Sequence, residues 1–349
     1  MRNLKVIISL VLVMLLFNEG SYAQQDAQWS QYMFNSLYYN PGYAGTEGVI
    51  RANVIARTQW LGYTPTNYSG GAPNTQIISI NAPLPALLDK KINHGAGIYF
   101  LNDSKGPLRN IELQLSYSSH WKIGKGTLGI GLRGGMYSQK IDASQYRVVD
   151  PSDPIYQYLS SNRASQLKPD GAVGVWYTQK KYYAGISCDH VFKPKFSFGF
   201  DSITSRLANH MYITGGYNFY LGTTIKITPT ALIQTDLNEL SYMFGPMVTY
   251  NEKFWVGLNA RESFAHRDES KKGKSLSNDD IVMYIGVNAL KNKQGNEALR
   301  IGYSFDFVTS GLSAKKRTSH EIMLSYMIPS PFGIPKPKVR TPRYRHDEN

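Results

Sequence analysis

The chain has 349 residues, a formal net charge of +13, only 18 % charged residues, 25 Tyr, 31 Gly and one cysteine, Cys188. A single cysteine excludes an intramolecular disulfide framework. After the first residues no apolar stretch is long enough to cross a bilayer as a helix, which excludes an α-helical membrane protein.

In chain order, Arg2 and Lys5 precede an apolar run at residues 6–17, and Ser21-Tyr22-Ala23 gives a small-x-small pattern before Gln24. The run is too short to span a membrane. Residues 1–23 therefore read as a cleaved signal peptide, with no cysteine after Ala23 for lipid attachment. Cleavage removes Arg2, Lys5 and Glu19, so the exported chain stays strongly basic.

Residues 24–48 are aromatic and amide-rich and do not alternate. Their aromatic content disfavours disorder. It predicts either a plug in a barrel mouth or a docking segment, with Trp29, Tyr32, Phe34, Tyr38 and Tyr43 as the partner-binding candidates.

From residue 49 to residue 328 the pattern is that of membrane strands, which alternate apolar and polar positions over about 9–11 residues. Ile111, Leu113, Leu115, Tyr117 and Trp121 oppose Glu112, Gln114, Ser116, Ser118 and His120. Leu299, Ile301, Tyr303, Phe305 and Phe307 oppose Arg300, Gly302, Ser304 and Asp306. Phe254, Val256, Leu258 and Ala260 oppose Trp255, Gly257, Asn259 and Arg261, and Ile322, Leu324 and Tyr326 oppose Glu321, Met323 and Ser325. A helical period is missing from all of them.

About fourteen such segments are expected, near 49–60, 74–82, 93–102, 109–122, 127–140, 170–179, 181–191, 209–221, 223–235, 240–251, 253–265, 280–290, 298–309 and 319–328. The expected fold is all-β: an antiparallel transmembrane barrel of the outer membrane, whose closure pairs every backbone group within the bilayer. A soluble β-sandwich is the competing fold. It does not need aromatic residues at strand ends, seen at Tyr38, Tyr39, Trp60, Trp121, Tyr220, Tyr250 and Trp255, which suit interfacial girdles. Connections alternate between short and long, with residues 236–239 short among the long set and 83–92 long among the short. With the short set periplasmic, both termini fall in the periplasm.

The inward set includes Glu112, Arg133, Lys226, Arg261, Arg300, Asp306 and Glu321. A selective pore favours one dominant sign, so this mixed set leans towards a closed or plugged lumen. The histidines, at 94, 120, 190, 210, 266, 320 and 346, are scattered with no metal-ligand spacing. No catalytic, cofactor or metal site is expected. Residues 124–129 lack the phosphate-loop spacing and read as a turn. Asp150-Pro151-Ser152-Asp153-Pro154 offers oxygens for calcium, but reads first as Asx-turn chemistry. Residues 329–349 form a Pro-rich tail carrying Lys336, Lys338, Arg340, Arg343 and Arg345. Such a tail is extended and basic. It suits an acidic protein surface or anionic envelope component and not nucleic acid, which that compartment lacks.

Several strings carry a family resemblance. Asp26-Ala27-Gln28-Trp29-Ser30-Gln31-Tyr32-Met33-Phe34-Asn35 followed by Asn40-Pro41-Gly42-Tyr43-Ala44-Gly45 resembles the opening of PorP/SprF proteins of the Bacteroidetes type IX secretion system. Arg57-Thr58-Gln59-Trp60, the Asn102–Pro107 loop, Phe254-Trp255-Val256-Gly257, Leu299-Arg300-Ile301-Gly302-Tyr303-Ser304-Phe305-Asp306 and Ser319-His320-Glu321-Ile322-Met323-Leu324-Ser325-Tyr326 are similar to its later segments. Ala27 and Ser36 depart from the prolines usual there. The resemblance implies a non-enzymatic outer-membrane accessory in contact with membrane lipid. It also implies work beside the periplasmic ring and the translocon barrel, in secreting or displaying large sorting-domain cargo such as gliding adhesins. The alternative from another class is an outer-membrane channel for small solutes. An envelope hydrolase has only His320 beside Glu321 in its favour, and adjacent strand residues face opposite sides.

Overall fold

A computed structural model describes residues 26–63, 71–85, 92–145, 148, 150–160, 165–198, 204–237, 239–265, 280–291, 297–309 and 317–329. The predicted signal peptide and the basic tail with Lys336, Lys338, Arg340, Arg343 and Arg345 lie outside the described residues.

The strands are β1 Ile50–Thr58, β2 Asn74–Leu84, β3 Asn93–Lys105, β4 Leu108–Ile123, β5 Gly126–Ile141, β6 Ser165–Thr178 and β7 Tyr182–Asp189. They continue as β8 Lys195–Ser197, β9 Thr204–Arg206, β10 His210–Tyr217, β11 Phe219–Leu221, β12 Ile225–Thr235 and β13 Glu239–Tyr250. The last are β14 Phe254–Ala265, β15 Asp280–Lys291, β16 Glu297–Val308 and β17 Ser319–Ile328. The barrel strands pair antiparallel in chain order, with β7 joined to β10 and β12 to both β10 and β11. β8 and β9 form a separate hairpin, and β1 pairs with β17 from Ile50↔Ile328 to Thr58↔His320. The sheet is a closed barrel of 14 strands, β10 and β11 counting as one. Closure pairs the backbone of the membrane-spanning strands within the sheet instead of leaving it open to lipid.

The sequence reading has 209–221 as one uninterrupted strand, whereas the ladder breaks at Asn218. Gly216 pairs with Thr230 and Phe219 with Ile227, so the register puts Pro229 opposite Tyr217. A proline has no N–H to give there. β6 begins at Ser165, before Pro169, a residue that argues against a strand interior. The Asn102–Pro107 string is mostly strand; the turn is Gly106-Pro107, with Gly106 at φ +58°.

Burial inverts that of a soluble protein. Along β4, Leu113, Leu115 and Tyr117 are exposed while Glu112, Gln114, Ser116 and Ser118 are buried. Val54, Ile78, Leu132, Ile213, Val256, Ile285 and Leu324 continue the exposed apolar band around the barrel. Leu115, 60 % exposed, sits mid-strand opposite Ile98 and Gly134. Leu115→Arg is expected to destabilise the barrel by about 2–4 kcal/mol against the parent, measured as urea unfolding from lipid vesicles. A change below half a kcal/mol would show that this face does not meet lipid.

Three residues assigned to aromatic girdles lie elsewhere. Tyr38 and Tyr39 are 2 % exposed and Trp255 is 4 % exposed, all inside the barrel. Trp255 has the inward parity of β14, and the two tyrosines precede the first strand. Tyr220 and Tyr250 are exposed as a girdle requires, and Trp60 and Trp121 are half-buried.

The two rims differ. The rim at the start of β1 carries the connections 85–92, 124–125, 179–181, 222–224, 251–253 and 292–296. The opposite rim, here the loop rim, carries 59–73, 106–107, 142–164, 190–209, 236–238, 266–279 and 309–318. Over part of the loop rim the β8–β9 hairpin folds inward, with Phe196, Phe198 and Leu207 packed on Tyr137 and flanked by Tyr158 and Leu159. In the longest connection Asp150 accepts from Ser152 N at 2.8 Å and Asp153 caps Ile155 N at 2.7 Å. Those oxygens serve the turn and the start of the helix Pro154–Tyr158.

The first and last described residues lie at opposite rims. Ile328 ends β17 at the β1-start rim. Asp26 lies beside His190, just past β7, and His210, the first residue of β10, both at the loop rim. Residues 26–48 therefore run the height of the barrel before β1 starts.

Candidate functional site in the barrel lumen

Residues 26–48 contact the inward faces of strands all round the closed sheet, so they lie in the lumen. The segment forms a 3-10 turn at Tyr32–Phe34, a helical turn at Ser36–Tyr39 and a second 3-10 turn at Pro41–Tyr43. Such short turns compact a chain without the length of a helix, and β-branched residues are almost lacking here.

Just inside the loop rim the segment meets a charge cluster. Glu321 Oε2 accepts from Ser30 N at 2.8 Å and Oε1 from Gln31 N at 2.9 Å. Arg57 and Arg261 both donate to Asp306 Oδ2, at 2.7 and 2.8 Å, and Arg261 also reaches Asp280 at 3.1 Å. Ser30 Oγ is 2.7 Å from Asp306 Oδ1 and accepts from Arg57 and from Arg261. Asp306 and Glu321 are 0 % exposed. The one serine thus ties the segment to β1, β14 and β16, and the neighbouring carboxylate of β17 binds two successive amides.

A second cluster holds the helical turn and the leading end. Arg133 donates to Tyr38 O at 2.6 Å and pairs with Asp189, its guanidinium 5.1 Å from the Tyr99 ring centre. His190 Nδ1 lies 2.5 Å from Asp170 Oδ2 and its Nε2 3.0 Å from Asp26 Oδ1. Tyr212 donates to Asp26 Oδ2 at 2.5 Å. Burial alone would raise the Asp26 carboxyl, but His210 and His190 hold it well below the usual carboxylate range. At the other rim, burial opposes ionisation of Glu47, yet the Arg51 guanidinium at 2.6 Å keeps its carboxyl below the ordinary value.

Aromatic packing fills the space between the clusters. Tyr38 sits edge-on to Trp29, Tyr39 and Tyr99 with centroids 6.2, 5.1 and 5.6 Å away, and Phe34 lies 4.8 Å from Trp255 beneath Arg300. Each such pair adds roughly 0.5–1.5 kcal/mol beyond its buried area. Trp29 is 0 %, Tyr32 1 % and Tyr38 2 % exposed, while Phe34 and Tyr43 are half-buried. With the segment seated, a partner cannot reach Trp29, Tyr32 or Tyr38.

Lower down, the backbone of the segment touches the backbone of the sheet. Asn40 Nδ2 donates to Val175 O and Ile186 O at 3.0 Å each, and Ser118 Oγ donates to Ala44 O at 2.6 Å. A Cβ on Gly131 would lie 2.4 Å from Gly42 N, and one on Gly95 2.0 Å from Ala44 O. Gly131→Val is therefore expected to unseat the segment, exposing residues 26–48 to limited proteolysis read by mass. Gly134→Val, where a Cβ meets nothing within 4 Å, should leave the parental pattern. Equal protection in both variants would refute the close fit.

Among the described residues the histidines are not all scattered. His190 and His210 come together with ring centroids 5.7 Å apart. His320 bonds Tyr303 OH at 2.6 Å and is half-buried, whereas Glu321 is fully buried inside, so the hydrolase pair does not form. His266 and His346 lie outside the described residues. Sequence reasoning missed Arg57, Ser30, Asp26, Asp170, Asp189, His190 and His210. For Arg57 a signal existed, since it shares parity with Asn53 and Ile55 on β1.

Beside Asp26 a cavity of about 520 Å³ opens at the loop rim, lined by Gln59, Trp60, Tyr63, Arg57, Arg261 and Lys105 among others. Closed barrel, lipid-facing apolar band and polar interior together define an outer-membrane β-barrel, with its own N-terminal residues packed through the lumen. Residues 21–326 match the model of the type IX secretion system membrane protein PorP/SprF family, and the chain belongs to that family.

No curated protein matches the chain in sequence. Among solved structures it is similar to a CymD monoaromatic hydrocarbon channel, at 9 % identity and TM-score 0.48, over 84 % of this chain and 91 % of that one. It is also similar to Omp33 of Acinetobacter baumannii, at 8 % and 0.43, over 81 % and 100 %. A TodX deltaS2S3 mutant channel gives 11 % and 0.45, over 84 % and 94 %. At those levels the likeness says nothing of what this barrel transports or binds.

Proposed function

We propose that this protein is a non-enzymatic accessory of type IX secretion that supports the export or surface display of large sorting-domain cargo, gliding adhesins included. It does so beside the periplasmic ring and the translocon barrel. The observation that carries the reading is the occupied lumen: the N-terminal residues fill the space a solute would cross and are held there by paired charges. Partners then meet the rims. The loop rim, with its long connections and the Trp60–Tyr63 cavity, faces the cell surface and receives cargo. The other rim faces the periplasm, where Lys336, Lys338, Arg340, Arg343 and Arg345 meet an acidic surface of the machinery. Trp29, Tyr32, Phe34, Tyr38 and Tyr43 act as a plug, and they become a docking surface only if the segment withdraws.

The test is a clean deletion of the gene followed by mass spectrometry of surface and culture-fluid proteins. Selective loss of one or a few large sorting-domain proteins is the expected result. An unchanged surface proteome with altered solute uptake would overturn it in favour of a channel.

A further inference from the structure

The leading end of the lumen segment brings two imidazoles and a carboxylate to one point. Asp26, His190 and His210 each offer a donor atom within 4.8 Å of the others. His190 Nε2 is 3.0 Å from Asp26 Oδ1, and His210 Nδ1 is 3.6 Å from Asp26 Oδ2. Ligands about 2.0–2.1 Å from a tetrahedral metal ion are separated by roughly 3.3 Å, so the His190–Asp26 pair is near ligand spacing. The His210 distance is to the other carboxylate oxygen, and Nδ1 there must give up its 3.2 Å contact with Ala208 O to bind an ion. The far nitrogen of His190 faces Asp170 Oδ2 at 2.5 Å, the carboxylate–histidine pairing that fixes the tautomer and orientation of a metal-binding imidazole. Tyr212 OH backs the Asp26 carboxylate in the same way.

Charge points to the same conclusion. The two imidazoles are packed among Asp26, Asp170 and Asp189, with Glu112 further out on Tyr99 OH and Tyr137 edge-on to His190. Among the described residues the guanidinium paired with this group is that of Arg133, through Asp189. The three aspartates outnumber the one arginine, an anionic surround that a bound cation would offset. Asp26 also lines the cavity open at the loop rim, which supplies an access route and room for a water as a fourth ligand.

We propose that Asp26, His190 and His210 bind one divalent transition-metal ion, with Asp170 as the positioning residue for His190. Through Asp26 the ion staples the start of the lumen segment to the ends of β7 and β10. The proposal stands on this geometry and not on the secretion role.

The experiment uses the full mature chain, purified folded in detergent and stripped with a chelator. Zn²⁺ stoichiometry is read after gel filtration by elemental mass spectrometry, and Co²⁺ binding by its visible absorption. The expected result is one ion per chain with an intense low-coordinate cobalt band. Asp170→Asn should weaken binding about 10- to 100-fold, and His210→Ala should abolish the band. His320→Ala, on the other face, should change nothing. Folding of every variant is checked by the heat-dependent shift in gel mobility, and His210→Gln replaces His210→Ala if the latter misfolds. Zn²⁺ should also slow proteolysis within residues 26–48 of the parent. A folded parent that retains no ion, or a folded His210 variant that binds like the parent, would overturn the assignment and leave an ion-paired imidazolium between Asp26 and Asp170.

Discussion

Removing residues 26–48 is expected to turn a silent barrel into a conducting one. With Gln25 joined directly to Val49, all 14 barrel strands remain, and the seam from Ile50↔Ile328 to Thr58↔His320 is untouched. What disappears is the material that fills the interior. Side chains alone fill a barrel of about eight strands, and the interior widens with strand number. Here Gln114, Ser116, Asn259 and Ser304 would line the vacated space with polar groups. In planar bilayers the full chain should show no steps, and the shortened chain should show discrete ones. The β8–β9 cap covers only part of the loop rim, so it should lower the step size without abolishing it. Conduction by the full chain equal to that of the shortened one would mean that the seated segment leaves an open path. The solute-channel reading would then regain its footing.

The barrel was legible because its physics is local. Alternation along one strand reports which side meets lipid and which meets the interior, and residues 108–123 carry that message without help from any other segment. The lumen was not legible for the opposite reason. Arg57 and Asp306 are 249 positions apart, and nothing near either names its partner. The same holds for Asp26 and His190, 164 apart, which read as an acid in an opening motif and one of several scattered histidines. Tyr38 and Tyr39 show the cost of reading composition without topology. An aromatic beside a first strand suits a membrane interface, but this pair turns back into the barrel with the segment that carries it. The glycines of β3 and β5 were equally mute. In a lipid-spanning strand Gly95 and Gly131 look like weak positions, and their meaning emerges only once Ala44 O and Gly42 N are seen pressed against them.

Arg57→Met is expected to cost about 3–5 kcal/mol, the magnitude for breaking a buried ion pair from one side. Two guanidiniums, Arg57 and Arg261, face three carboxylates, Asp280, Asp306 and Glu321, and four of these five groups are at most 2 % exposed by side chain. The methionine fills much of the volume but leaves Arg261 alone against the three acids. Ser30 Oγ loses one of its two donors at the same time, so the segment should loosen with the barrel. Asp306→Asn alone removes the anion on which both arginines converge, and it is expected to be costly as well. The double variant tests the cause. If the penalties arise from stranded charge, Arg57→Met with Asp306→Asn should cost less than the sum of the two, by 0.5–3 kcal/mol, as directly coupled sites do. Urea unfolding from vesicles gives the energies, and proteolysis within residues 26–48 reports the segment. Strict additivity would show that the two side chains act independently despite the 2.7 Å between them, and that the segment is held by its aromatic packing and the Glu321–amide contacts.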